Sequence, residues 1–170
     1  MKLYIDKIQI QEIIRHCREE FPDEACGILA GKAGRVNKIY RAANARKSSF
    51  KYKISAPEQL RIIRDIRSQD MDIVAVYHSH PNAPAYPSDR DLKYAFYLCS
   101  YLIISIIDGL APLEKIGGGI KPLPVWAVSA IKGRSLNGIR RCNSLTGLTD
   151  IRSFRIEREF IKEEAIEILS

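Results

Sequence analysis

Apolar residues recur along this chain at spacings that switch between the period of a strand and that of a helix. Residues 3–5 predict a short strand. From Asp6, a residue suited to an N-cap, Ile10, Ile13, Ile14, Cys17 and Phe21 follow the 3.6-residue period, which predicts a helix stopped by Pro22. Residues 25–30 read as a buried strand, turned by Gly31-Lys32-Ala33-Gly34 into a second strand near residues 36–42. A loop of small and basic residues, 44–49, precedes a short strand expected at 50–54. Ser55 and Glu58 then have the S-x-x-E spacing of a capping box, with Pro57 in the first turn, and open a helix to about Gln69.

The Ile-Val-Ala-Val content of residues 71–78 predicts a central strand. After a proline-rich loop, Ser88 opens a helix expected to reach about Leu98, and 101–107 is again a buried strand. Residues 108–124, rich in glycine and proline, predict a surface loop. Residues 125–131 and a turn at Gly133 predict a further strand pair, and the chain is irregular from Gly138. Residues 150–170 predict a charged amphipathic helix with Ile161, Ala165, Ile168 and Leu169 on one face, packed on the core or on a partner. Alternating helices and strands of this kind define an α/β protein.

The chain has 170 residues, 46% of them hydrophobic. That is the size of one domain, which buries roughly 70% of the surface its unfolded chain exposes and needs no disulfides. The apolar content excludes disorder as the main state. The longest apolar runs, 73–77 and 101–107, fall far short of the ~20 residues a bilayer requires, and the N-terminus lacks a signal-peptide core, so a cytoplasmic location is expected. Cys17, Cys26, Cys99 and Cys142 form no CxxC pair and are expected as buried, reduced side chains; any metal must use other ligands. The 27 Lys and Arg exceed the 20 Asp and Glu by seven. Arg61, Arg64 and Arg67 could line one helical stripe, but the aromatic interleaving of a single-strand binder is missing. A solvated helix face is the better reading, and nucleic acid is not the expected partner.

Two of the three histidines, His78 and His80, end the predicted central strand. Side chains two apart on a strand share a face, so both imidazoles can reach one metal ion. Pro81 ends the strand. If Ser88 is an N-cap, Asp91 lies in the first helical turn and can fold back to complete a His-His-Asp set. Three protein ligands leave a position for water, the catalytic pattern for zinc. A base is still required, and Glu24, just before the strand at 25–30, is the candidate. Ser88 and Asp91 also have capping-box spacing, which is compatible with the site. The third histidine, His16, has no evident partner and is expected as a surface or core residue.

The segments Phe21-Pro22-Asp23-Glu24-Ala25-Cys26-Gly27-Ile28-Leu29, His78-Ser79-His80-Pro81 and Pro87-Ser88-Asp89-Arg90-Asp91 together resemble the JAMM (MPN+) zinc metalloproteases of the short prokaryotic type. That signature is a Glu, then H-x-H-P, then S-x-x-D after a seven-residue gap, and the resemblance spans about the first 110 residues. It implies a three-layer α-β-α sandwich with a mixed central sheet, the JAB1/MPN fold, similar to cytidine deaminases. A catalytic domain would occupy residues 1–132 and a C-terminal extension 133–170. His78, His80 and Asp91 would bind one zinc ion per chain, Glu24 would be the general acid/base, and Ser88 would hydrogen-bond the oxyanion. Members cleave peptide or isopeptide bonds after the C-terminal glycines of ubiquitin-like proteins, and short prokaryotic ones look like processors of sulfur carriers. The partner implied is such a carrier. The loop 108–124 departs from the shortest members.

Two other readings compete. Scaffold proteins with this fold lack the ligand set, whereas here the set is intact. A deaminase would require H-x-E and P-C-x-x-C, and neither occurs. The carrier's identity, the bond type and homo-oligomerisation stay open.

Overall fold

The computed structural model describes residues 2–106, 149–157 and 160–169. The strand β1 (Leu3–Asp6) leads directly into helix α1 (Lys7–Glu19), and a hairpin follows from β2 (Cys26–Lys32) and β3 (Arg35–Ala42). Helix α2 (Ala56–Ser68), strand β4 (Asp72–His80), the short helix α3 (Asp89–Lys93) and strand β5 (Ser100–Ile106) complete the N-terminal part. Three strands follow: β6 (Thr149–Glu157), β7 (Phe160–Glu164) and β8 (Ile166–Leu169). The loop expected at 108–124, the strand pair at 125–131 with its turn at Gly133, the irregular stretch from Gly138, and Cys142 all lie outside the described residues.

Local chemistry explains most of these boundaries. The Gln9 side chain accepts the Asp6 backbone N–H at 3.0 Å, which satisfies one orphan donor at the start of α1. Ile10, Ile13, Ile14 and Cys17 are buried as their spacing predicts, whereas Phe21 lies beyond the helix and is exposed. Ala33 and Gly34 adopt φ of +51° and +79°, so both central residues of the β2–β3 turn are left-handed, the geometry that matches strand twist in a two-residue hairpin. A Cβ on Gly34 would also stand 2.6 Å from the Lys2 carbonyl. Ser55 caps α2 by accepting the Glu58 N–H at 3.4 Å, but the Glu58 carboxylate turns to the Ala43 N–H, so only half of the expected box forms.

The strands form one mixed sheet in the order β7-β6-β5-β4-β2-β3-β1-β8. β4 pairs with β5 in parallel, as does β1 with β3 and with β8, and the other pairs are antiparallel. α1 packs on one face through a cluster that includes Leu3, Ile5, Ile13, Leu29, Leu102 and Ile104. α2 covers the other face with Ile62 and Ile66 against Cys26, Ile28 and Ile54. This is the helix-sheet-helix layering that the resemblance implies. β7 and β8 stand at opposite ends of the hydrogen-bonding order, yet only Ala165 separates them. The sheet must therefore curl until its two ends meet, and the concave side holds α1. The Leu3 N–H donates to the Ala165 carbonyl at 3.1 Å at the seam.

Three expectations are corrected. Residues 50–54 form no strand, because Asn44 takes over the backbone hydrogen bonds of that loop. The helix opened by Ser88 ends at Lys93 rather than near Leu98. Beyond it Ala95 and Tyr97 pack inward while Tyr94, Phe96 and Leu98 face out, a period of two rather than 3.6. The amphipathic helix expected at 150–170 is replaced by β6, β7 and β8. Phe154 and Ile156 are buried two apart, and Ile166 and Ile168 both pack on the α1 cluster, so the apolar period there is also two. The free edges of β5 and β1 supply the pairing that holds these residues extended.

Candidate active site

His78 and His80 leave the same face of β4 at its C-terminal end, and both are buried. Their Nε2 atoms are 3.0 Å apart. Asp91, in the first turn of α3, brings Oδ1 to 3.2 Å from His78 Nε2 and Oδ2 to 3.5 Å from His80 Nε2. The three ligand atoms lie within 4.8 Å of one another. His80 Nδ1 is 2.8 Å from the Pro84 carbonyl, which can only accept, so Nδ1 carries the hydrogen and Nε2 presents a lone pair to the cluster when the ring is neutral. The His78 ring stacks on Tyr52 with centroids 4.6 Å apart, which fixes its plane.

Two imidazole nitrogens facing each other at 3.0 Å with a carboxylate beside them need either a shared proton or a cation. Nitrogen and carboxylate oxygen donors in this combination fit zinc. Burial opposes ionisation of Asp91, but hydrogen bonds from His78, His80 and Ser88 outweigh it and hold the carboxyl well below the usual carboxylate range. Burial lowers the pKa of His78. It also acts to lower that of His80, but the bonds to Asp91 and to the Pro84 carbonyl reverse the direction.

Ser88 caps α3 and restrains the Asp91 carboxylate in the same stroke. Its Oγ accepts the Asp91 N–H at 3.3 Å and donates to Oδ2 at 2.6 Å, and its backbone N–H donates to Oδ2 at 2.8 Å. Oδ2 is thereby fixed, leaving Oδ1 aimed at His78.

Glu24 is buried just before β2. The register that pairs Cys26 with His78 places it beside the end of β4 that carries His80. Burial, reinforced by the negative charge of Asp91 and opposed by His80 and Arg90, raises its pKa from 4.5 to about 7. A carboxyl poised there can give and take a proton near neutrality.

Three residues that the sequence pattern did not single out hold this arrangement. Ser79 Oγ accepts the Ala25 N–H at 2.8 Å. Its position between the two histidines, on the opposite face of the strand, is the signal that could have identified it. Asn44, buried in the loop after β3, donates to the carbonyls of Glu24 and Lys51 at 3.0 and 3.1 Å and accepts the N–H groups of Arg46 and Lys53. Tyr52 supplies the stacking surface under His78. His16, expected to lack a partner, is buried with Nδ1 2.8 Å from the Tyr77 hydroxyl. Cys17, Cys26 and Cys99 are free and buried, and Arg61, Arg64 and Arg67 are exposed, both as expected.

A mixed sheet wrapped on one helix, with a His-His-Asp cluster at a strand end, defines a domain of the JAB type. The family model described as prokaryotic homologs of the JAB domain matches residues 6–114, and the chain belongs to that family, the short prokaryotic JAMM proteins. It is 39% identical over 88 residues to the CysO-cysteine peptidase of Mycobacterium tuberculosis, an alignment covering 51% of this chain and 60% of the relative. Identity is 30% over 102 residues to a probable TtuB-protein conjugate cleaving protease of Thermus thermophilus, covering 59% and 68%. The solution structure of a Desulfitobacterium hafniense protein superposes with a TM-score of 0.68 at 26% identity, covering 100% of this chain and 94% of that one.

Proposed function

We propose that this chain is a zinc-dependent peptidase or isopeptidase that cleaves after the C-terminal Gly-Gly of a ubiquitin-like or sulfur-carrier protein. The observation that carries the reading is a buried glutamate, titrating near neutrality, beside a converging His-His-Asp set. Two relatives support the substrate class, one named for a CysO-cysteine substrate and one for TtuB-protein conjugates.

His78, His80 and Asp91 would hold one zinc ion. Zinc bound there supplies a Lewis acid that polarises the scissile carbonyl and lowers the pKa of water toward ~7. Glu24 takes a proton from the attacking water and passes it to the leaving amine, which its pKa of about 7 allows in both directions. Ser88 is the oxyanion donor. Its single hydroxyl hydrogen points to Asp91 Oδ2 and must swing to the developing oxyanion. Asn44 and Ser79 hold the peptide that joins Glu24 to Ala25, one at its carbonyl and the other at its N–H. The catalytic unit lies within residues 1–132.

The intact ligand set and the buried base both argue against a silent scaffold. The buried free thiols of Cys17, Cys26 and Cys99 suit a reducing compartment and support a cytoplasmic location. No helix among the described residues is long and apolar enough to cross a membrane.

The decisive experiment incubates the zinc-loaded protein with ubiquitin-like and sulfur-carrier fusions that carry residues after the terminal Gly-Gly. Mass spectrometry should find a product ending in Gly-Gly. Intact fusions across the panel, with zinc bound at one per chain, would reject the reading.

A further inference from the structure

Tyr94, Phe96 and Leu98 are 57%, 78% and 86% exposed, while Tyr97 and Cys99 between and after them point into the core. Three large apolar side chains in strict alternation on the outside are costly for a soluble surface and mark a contact site when they are held in place. They are held. The Tyr101 hydroxyl accepts the Tyr97 N–H at 2.9 Å and donates to the Tyr97 carbonyl at 3.1 Å. Gln59 of α2 donates to the Tyr97 hydroxyl, and Arg155 of β6 donates to the Leu98 carbonyl at 3.3 Å. The backbone of this row is therefore pinned from β5 and β6, and α2 holds the Tyr97 side chain, so the row loses little further backbone freedom on contact.

The row begins immediately after α3, which carries Asp91, and so it lies at the rim of the candidate site. Arg90 donates to the Phe50 carbonyl at 3.0 Å and draws the loop of residues 43–54 alongside. Phe50 is itself 72% exposed. That loop carries Arg46, Lys47, Lys51 and Lys53, all exposed, and no carboxylate.

We propose that Tyr94, Phe96 and Leu98, with Phe50 and the basic loop beside them, form the docking surface for the globular body of an acidic ubiquitin-like carrier. This rests on the function proposed above. The apolar row supplies affinity through aromatic side chains, and the cation-rich margin selects a partner whose own apolar patch is rimmed by carboxylates. The site cluster then receives the carrier's tail, while specificity comes from the folded body.

The test compares two substrates: a folded acidic ubiquitin-like carrier extended by a short peptide after its Gly-Gly, and an unstructured peptide with only that tail. The double variant Phe96→Ser/Leu98→Ser should raise KM for the folded carrier by about tenfold or more, as loss of two anchor side chains does, and leave kcat/KM for the peptide within about twofold. Lys51→Glu/Lys53→Glu should weaken the same step and flatten its salt dependence. Binding is measured separately by titrating the carrier into Glu24→Gln protein with and without the Phe96→Ser/Leu98→Ser changes, so that turnover plays no part.

Equal losses on both substrates, or an unchanged carrier Kd in that titration, would overturn the docking surface. So would a wild-type dimer that the Phe96→Ser/Leu98→Ser variant loses, since the row would then be an interface between copies. If neither substrate is cleaved by the wild type, the proposed function falls, and the binding titration still decides the surface.

Discussion

The hydroxyl of Ser79 accepts the backbone N–H of Ala25 at 2.8 Å, and the Ser79 N–H donates to the Ala25 carbonyl at 3.0 Å. One residue thus ties the strand between the two histidines to the residue that follows the candidate base. Ser79 is fully buried, so its hydroxyl has no water to compete for it. Ser79→Ala leaves the Ala25 N–H without its partner, and the loss of such a bond costs about 1–3 kcal/mol. Urea melts should show that loss with zinc still bound at one per chain. Turnover should fall by roughly 10- to 100-fold, since small misplacement of a catalytic group has effects of that size. Unchanged turnover in a destabilised variant would mean that Glu24 is positioned by other contacts.

Two of the three hydrogen bonds between Ser88 and Asp91 use the Ser88 hydroxyl, so loss of that hydroxyl should be felt at the metal as well as in the helix. Ser88→Ala should cost about 1 kcal/mol as a lost cap. It should also weaken zinc binding by roughly 10- to 100-fold, as loss of an outer-shell partner does. His78→Ala, His80→Ala and Asp91→Ala should each abolish stoichiometric zinc. Elemental analysis against a chelator series separates these outcomes, and an Asp91→Ala protein with one tightly held zinc would refute the ligand assignment.

How much of this was legible in the chain itself depends on how far apart the interacting residues stand. His78, His80 and Asp91 follow from local rules: alternation on a strand, a proline stop and a cap. Glu24 is 54 residues from His78, and its place before a predicted strand makes it a candidate, but only the pairing of β2 with β4 brings it to the histidines. Ser79 and Asn44 act through register and loop closure, which a linear pattern does not display. The C-terminal strands show the limit more sharply. Ile161, Ala165 and Ile168 fit a helical stripe as well as Ile166 and Ile168 fit a strand. β8 becomes a strand because β1, at the other end of the chain, offers it an edge.

Glu24 makes stability depend on pH in a direction that can be worked out. Its pKa is about 7 in the folded chain and 4.5 in the unfolded one. Below pH 4.5 both states are protonated and the residue contributes no difference. Between 4.5 and 7 the unfolded chain ionises first, so wild-type stability falls as pH rises, and above 7 the loss is complete. Glu24→Gln removes this loss. In chelated protein, the stability gained by the variant should grow by on the order of 2–3 kcal/mol from pH 5 to pH 8. In zinc-loaded protein the same variant should keep the fold and lose turnover by at least ~100-fold. A stability gap that does not widen with pH would show that the Glu24 carboxyl is not desolvated.

The closure of the sheet over α1 gives a prediction remote from the chemistry. Ile166 and Ile168 pack against the cluster that buries Ile10, Ile13 and Ile14, and Ile168 pairs with Ile5 of β1. Ile168→Asp would place a carboxylate against this apolar surface, where an unpaired charge is strongly disfavoured. The strand should detach rather than bury it. Stability should drop by about 1–3 kcal/mol, within the range for a lost partly buried aliphatic contact. Hydrogen exchange should rise in β1 and along the side of α1 that carries Ile10, Ile13 and Ile14, since both lose their cover there. β4 and α3 are separated from β8 by β1, β3 and β2 in the sheet, so zinc should remain at one per chain. Protection of β1 unchanged in Ile168→Asp would mean that the sheet does not depend on β8 to close, and that α1 is held by the N-terminal strands alone.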